Sequence, residues 1–242
     1  MEQGLMDLHT HILPGVDDGS ESMEQTVHML QIAYEEGIRT IIATPHYEAG
    51  AKNLAPEQLK QICSQVQDEA WKIDRDMKIL LGNELYYSES ILEAIQSGAA
   101  LTLAGSRYIL VEFSPKEAYN NIFRGLTRLT GAGYLPIVAH IERYRCLYKK
   151  EDAILELHNL GCYLQMNCKS LLGGILDTEA MYHRKLIQQG LIHFLGSDCH
   201  DDQVRLPCMM KAKKQLQKRC DEGILNKLFY ENPLKVLENT YI

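Results

Sequence analysis

Metal-binding side chains recur at one kind of place in this sequence: the C-terminal ends of short, β-rich, apolar runs. His9 and His11 end the first run, His46 the second, Glu84 the third, Glu112 the fourth and His140 the fifth, while Asp198 and His200 end the seventh. The loop after the first run adds Asp17 and Asp18. Residues two apart in a strand face the same side, so His9 with His11, and Asp198 with His200, each present two ligands together. A single His or Glu at a strand end is ordinarily a loop-facing polar residue; the set as a whole is what departs from that. Five imidazoles and four carboxylates (Asp18, Glu84, Glu112 and Asp198) are too many for one ion and suit three ions that share bridging groups. The absence of thiolates from this set fits divalent manganese, iron or zinc. Three divalent ions against four carboxylates would leave the site about two charges positive, and a phosphate dianion is the natural guest of such a site.

The elements that must hold these residues are read from periodicity. Seven β-rich runs, at residues 5–12, 39–45, 78–85, 108–113, 135–141, 162–168 and 192–197, alternate with amphipathic stretches, the pattern of βα units and a parallel sheet. Buried parallel strands should be apolar nearly throughout. In (β/α) barrels the catalytic residues collect at the C-terminal rim, where all of these polar exceptions lie. Ser20 or Ser22 would cap the first helix and Gly37 would end it; Pro56 would open a helix running to about residue 75. Further helices are expected at 89–97, 118–130, 151–160, 179–189 and 208–223, with a short Pro233-initiated helix at the tail. His28, His158 and His183 fall on helices and His193 opens the seventh strand at the opposite rim, so these four are read as structural or surface residues. No repeat or linker interrupts the rhythm, and one domain over residues 1–242 is expected.

Composition narrows the function. Apolar residues make up 45% of the chain and charged ones 24%, the balance of a globular protein. The net charge of −7, with no basic stripe, argues against a nucleic-acid partner. No apolar run is long enough to cross a bilayer, and Glu2, Asp7, His9 and His11 interrupt the place a signal peptide would need, so a cytoplasmic location is expected. Seven cysteines without a CxxC pair make a disulfide framework or a zinc knuckle improbable.

The segments HTH at 9–11, ATPHY at 43–47, GNELYY at 82–87, VEFS at 111–114, AHIERY at 139–144 and GSDCH at 196–200 together resemble the polymerase-and-histidinol-phosphatase (PHP) superfamily. HILPGVDDGS at 11–20, the ERY after His140 and QMNCKSLLG at 165–173 are most similar to bacterial manganese-dependent protein-tyrosine phosphatases of the CpsB/CapC type, and the likeness spans nearly the whole chain. Only the short run 1–4 ahead of the first strand, and Cys199 within the last motif, stand apart.

The resemblance implies an α/β fold, a distorted (β/α)7 TIM-like barrel, and three ions: one on His9, His11, Glu84 and Asp198, one on Glu84, Glu112 and His140, and one on Asp18, His46 and His200. It also implies that Arg143 and Arg205 bind phosphate. Asp17 is kept behind Asp18 as a supporting residue, Asp7 could hydrogen-bond a ligand, and Gln165 and Asn167 share a strand face from which they could orient water or a substrate oxygen.

The implied reaction is phosphotyrosine hydrolysis by a metal-activated hydroxide, on the tyrosine-rich tail of a membrane-bound tyrosine autokinase that controls capsule or exopolysaccharide export. Three rivals stand beside it. Histidinol-phosphate phosphatase shares the metal site; a metal-stabilised regulatory binder would need no turnover; and Cys199 with Arg205 has the C-x5-R spacing of thiol phosphatases.

Overall fold

The computed structural model describes residues 4–174 and 176–242. Residues 1–3 of the expected domain and of the run ahead of the first strand, and Ile175, lie outside the described residues. The strands are β1 (Leu5–Thr10), β2 (Ile38–Ala43), β3 (His46–Glu48), β4 (Lys78–Leu81), β5 (Glu84–Tyr86), β6 (Tyr108–Glu112), β7 (Leu135–Val138), β8 (Tyr163–Asn167) and β9 (Phe194–Gly196). The helices are α1 (Met23–Glu35), α2 (Pro56–Ile73), α3 (Ile91–Gln96), α4 (Tyr119–Gly131), α5 (Glu151–Asn159), α6 (Thr178–Gln188), α7 (Met209–Leu216), α8 (Glu222–Asn226) and α9 (Asn232–Glu238).

All named strand pairs are parallel, in the orders β1-β2-β4 and β3-β5-β6-β7-β8-β9. The two pieces form one wall, because Gly82 N–H donates to Ala43 O at 2.9 Å and Glu84 N–H to Thr44 O at 3.3 Å. β9 closes on β1 through a Thr10–Cys199 bridge, with Asp198 N–H on His9 O and His11 N–H on Cys199 O, each at 2.9 Å. The result is a distorted (β/α)7 barrel, with the breaks in two of its seven strand positions.

Those breaks correct the sequence reading, which made 39–45 and 78–85 continuous. Pro45 has no N–H to give the ladder. Opposite it, Asn83 donates its amide to Pro45 O at 2.9 Å and accepts Leu101 N–H at 2.8 Å. A Cβ on Gly82 would lie 2.8 Å from Leu103 Cδ2 and 3.1 Å from Leu103 Cα, so any larger residue there must displace the 103 segment. β3 and β5 restart beyond the break with His46 paired directly to Glu84.

Two cores follow from the strand alternation. Tyr108 and Leu110, Ile137 and Ala139, Tyr163 and Phe194 belong to one buried cluster inside the barrel, while their neighbours Ile109, Val111, Val138 and Leu164 belong to the larger cluster under the helices. Continuing the inner face toward the C-terminal ends brings Glu112 on β6, and Gln165 and Asn167 on β8. α1 is capped by Ser22, which accepts Gln25 N–H, and buries Thr26, Met29, Leu30 and Ala33 at helical spacing. Gly37 follows it at φ +80.

The expected helix 208–223 is also corrected. α7 stops at Leu216, and Asp221 caps a new helix by accepting Ile224 N–H. α8 then runs through a π-helical turn, Lys227–Glu231, into α9. Pro233 is near the start of α9, where its missing N–H and the clash with the carbonyl of Phe229 favour the widened turn before it. No helix among the described residues is long and apolar enough to cross a membrane.

Candidate metal centre

Glu84, 1% exposed at the start of β5, is the hub of the rim. Its Oε2 lies 3.0 Å from His9 Nε2, 3.2 Å from His11 Nε2 and 3.2 Å from His46 Nδ1, and its Oε1 lies 2.9 Å from His140 Nε2. Asp198 Oδ1 is 3.5 Å from His9 Nε2 and 3.6 Å from both His11 Nε2 and His200 Nδ1. Asp18 Oδ1 approaches His46 Nε2 at 3.3 Å and His200 Nε2 at 3.4 Å. Glu112 lies 3.5 Å from His140 Nε2 and 4.0 Å from His46 Nδ1. The structure thus gathers all nine of the donors named from the sequence at one end of the barrel.

Their donor atoms form three overlapping groups, each within 4.8 Å: His9, His11, Glu84 and Asp198; His11, Asp18, His46 and His200; and His46, Glu84 and Glu112. The first coincides with a set implied by the resemblance. The second adds His11 to another, and the third has His46 where the resemblance placed His140. Exposure grades across the centre: His9 and His11 are fully buried, whereas the side chains of His46 and Asp18 are 36% and 64% exposed, so the mouth is on their side.

The donor chemistry fits divalent ions. Only imidazole nitrogens and carboxylate oxygens make up the groups, and the two Nε2 atoms of His9 and His11 face each other at 3.3 Å. In the protein alone, raised imidazoles at His9 and His11 balance the lowered carboxyl of Glu84. Burial pushes His11 down, but its hydrogen bonds to Asp17 and Glu84 carry it up to about 10. Burial likewise opposes His9, and the charges of Glu84 and Asp198 raise it. Glu84 is held well below the usual carboxylate range, against its burial, by His9, His11 and His140. Burial and the charge of Glu84 raise Glu112. Burial and the charge on His11 bring His200 down to about 4. A bound cation takes the place of the protons on such imidazoles, which is how imidazole sites couple metal to pH.

Two residues near the donors prove more important than the sequence suggested. Asp17 Oδ2 lies 2.7 Å from His11 Nδ1 and accepts His46 N–H at 3.0 Å, while its Oδ1 accepts Gly19 N–H at 3.0 Å. It therefore sets the ring of one donor and the backbone of another, a carboxylate–histidine support. Glu142, which sequence reasoning missed, accepts Asn167 N–H at 2.9 Å and Ser170 Oγ–H at 2.8 Å; the ERY motif was its only signal. Asp7 accepts the backbone N–H groups of His9 and Ser197 at 3.3 and 3.0 Å, and burial raises it to about 6.

The arginines reach the same rim from different loops. His140 takes a left-handed conformation (φ 30, ψ 60) and starts the 3-10 turn Ile141–Arg143, which carries Arg143 to Asp198 Oδ2. Arg205 NH2 meets that oxygen at 2.8 Å. Both arginine side chains are about one-third exposed, so they stand at the mouth.

The C-x5-R loop between Cys199 and Arg205 is not a thiol phosphate loop. Cys199 is 1% exposed and its thiol is pushed far above the ordinary range by burial and the charge of Asp7. The backbone N–H groups of Gln203, Val204 and Arg205, which such a loop would turn on phosphate, are instead accepted by the Asp201 carboxylate. Of the set-aside histidines, His28 meets Asp202 at 3.2 Å, His183 Nδ1 lies 3.1 Å from Ser170 O, and His158 stacks on His193 at 4.7 Å.

The family profile described as capsular polysaccharide synthesis, CpsB/CapC, matches residues 5–238. The chain belongs to the CpsB/CapC family. Similar members include the tyrosine-protein phosphatase CpsB of Streptococcus agalactiae serotype V, 32% identical over 98% of this chain and 100% of that one. The tyrosine-protein phosphatase YwqE of Bacillus subtilis is 30% identical over 83% of this chain and 79% of that one. A crystal structure from work on YwqE of Bacillus subtilis and CpsB of Streptococcus pneumoniae, described as metal-dependent tyrosine phosphatases, superposes with a TM-score of 0.89, at 29% identity, covering 98% and 96% of the two chains. Beyond the CpsB/CapC family the barrel is shared with the Escherichia coli phosphotriesterase homology protein (TM-score 0.61, 15% identity, 97% and 98% covered), a likeness of fold alone.

Proposed function

We propose that this CpsB/CapC chain is a metal-dependent protein-tyrosine phosphatase, one domain over residues 1–242, with three divalent ions, manganese by preference, in its rim. The observation that carries this reading is Glu84, buried, with four imidazoles on its two oxygens and two arginines at the open side of the same cluster. His9, His11, Glu84 and Asp198 would hold one ion, Glu84, Glu112 and His140 a second, and Asp18, His46 and His200 a third. Bound there, the ions supply an activated water near neutral pH and positive charge for the phosphate.

The chain's own residues do the rest. Arg143 and Arg205, now sharing Asp198 Oδ2, present guanidinium N–H groups at the mouth and would turn them to the non-bridging phosphate oxygens, fixing the ester in line. Asp17, through His11 and the His46 backbone, keeps the two donors in place as charge builds. The leaving phenolate, whose conjugate acid has a pKa of about 10, departs with little help from a general acid, which suits a tyrosyl ester. The substrate we infer is the tyrosine-rich tail of a cytoplasm-facing autokinase that regulates capsule or exopolysaccharide synthesis, with the enzyme acting in the cytoplasm. The family description and the names of the relatives support this reading.

Side-by-side rates on a phosphotyrosyl peptide and on histidinol phosphate, before chelation, after it and after manganese is returned, test the proposal. Metal-restored turnover with the peptide preferred is expected. Preference for histidinol phosphate would assign the small-molecule reaction, and no turnover with any metal would assign a regulatory binder.

A further inference from the structure

Two amides on the inner face of β8 lie against the metal centre without belonging to it. Gln165 is fully buried and Asn167 is 6% exposed. Gln165 Oε1 accepts His140 N–H at 2.7 Å and lies 3.3 Å from His9 Nδ1. Gln165 Nε2 donates to Asn167 Oδ1 at 2.9 Å, and Asn167 Nδ2 donates to Asp198 Oδ2 at 2.7 Å. A peptide N–H only donates and an ionised carboxylate only accepts, so both ends of this chain have fixed polarity and neither amide can turn over. The atom facing His9 Nδ1 is therefore an acceptor. His9 must keep a proton on Nδ1, which leaves Nε2 for the space beside Glu84 Oε2 and Asp198 Oδ1, at 3.0 and 3.5 Å.

Backbone conformation adds an independent observation. Among the described residues five non-glycine positions have positive φ, and two of them are His140 (φ 30) and Asp198 (φ 52). Such conformations persist where the surroundings over-determine them. Gln165 accepts the backbone N–H of the first, and Asn167 donates to the side-chain carboxylate of the second, whose own N–H is held by His9 O. β9 passes so close that a Cβ on Gly196 would lie 2.8 Å from His9 Cβ and 2.9 Å from Gln165 Nε2.

We propose that Gln165 and Asn167 form a one-directional amide relay that positions His9, His140 and Asp198 for metal binding and touches neither ion nor substrate. This replaces the expectation that they orient water or a substrate oxygen, since Gln165 Oε1 already faces both His140 N–H and His9 Nδ1, and the other amide atoms are turned on each other and on Asp198. The proposal rests on the metal-dependent reading above.

The test is manganese affinity, measured by competition with a chelator, in the wild type, Gln165→Met and Asn167→Ala. Methionine fills the same space without hydrogen bonds. The metal-free thermal midpoint, and kcat and KM on an aryl phosphate across a manganese titration, complete the set. Manganese binding about 10–100-fold weaker is expected in both variants. Excess manganese should return kcat to near the wild-type value, and Gln165→Met should keep its KM. A folded Gln165→Met that binds manganese like the wild type overturns the relay. So does unchanged affinity with kcat lost at saturating manganese, which would mean direct contact with substrate. If Gln165→Met fails to fold, Asn167→Ala decides in its place, because it removes only the bonds to Gln165 and Asp198. A wild type with neither manganese binding nor metal-dependent turnover would sink the phosphatase reading itself, an outcome distinct from the variants' behaviour.

Discussion

Arg205 has two possible employments, and its energetics separate them. As a partner of Asp198 it is one of two guanidiniums on a single buried carboxylate oxygen, which keeps Arg143 and the Asn167 amide when Arg205 is removed. As a clamp on a phosphate dianion it makes charge-assisted bonds worth about 1.5–3 kcal/mol. Arg205→Ala should therefore lower kcat/KM on an aryl phosphate by about 10–100-fold, mostly through KM; a change under twofold would leave Arg205 as a rim ion pair. The donors other than Asp18 are legible in sequence because each is a polar residue at the end of a run that should be apolar, and Asp18 is read from the loop after the first run. Asp17 was visible only as the weaker half of an adjacent pair, and Glu142 hardly at all. Their importance lies in loop hydrogen bonds that connect residues 25–29 positions apart, which no periodicity encodes.

At the level of elements, the seven strand positions and the rim at their C-terminal ends follow from the alternation of β-rich and amphipathic runs, while closure into a barrel is what the family resemblance implied. The breaks at Pro45 and Gly82 do not follow from that alternation: they depend on Asn83 and Leu103 packing from elsewhere in the chain. Pro233 opens α9 as its sequence position suggests, but the expected helix 208–223 is broken after Leu216 and restarted by the Asp221 cap, and the π-helical turn that joins α8 to α9 has no periodic signal.

The opposite end of β9 carries a prediction of its own. His193 is 6% exposed, its Nδ1 accepts Leu164 N–H at 3.1 Å, and burial with the neighbouring His158 lowers it to about 4 from 6.5. As pH falls through 6.5 the unfolded chain takes up this proton while the folded one does not. Stability is therefore lost progressively between about pH 6.5 and 4, by about 3 kcal/mol in all, and the loss levels off below that. Urea denaturation of His193→Gln at pH 7 and pH 5 should show a smaller drop than the wild type. Equal drops would mean that His193 is protonated in the fold.

For the molecule as a whole, the rim gathers buried charge that the barrel tolerates through mutual pairing, and ions that bind only the folded chain stabilise it by mass action. At a hundredfold excess over its dissociation constant one ion contributes about 2.7 kcal/mol. Chelation should thus lower the thermal midpoint by about 5–10 °C for a chain of this length, and added manganese should restore it; an unchanged midpoint would mean that no ion is held in the fold. The net charge of −7 makes no basic surface for nucleic acid, in line with a peptide or small-molecule ester as the guest.

The most direct measurement is anomalous diffraction at the manganese absorption edge from crystals of the active, metal-loaded protein. Three peaks are predicted, the most buried of them bonded to His9, His11, Glu84 and Asp198. Active crystals with no peak beside Glu84 would contradict the account.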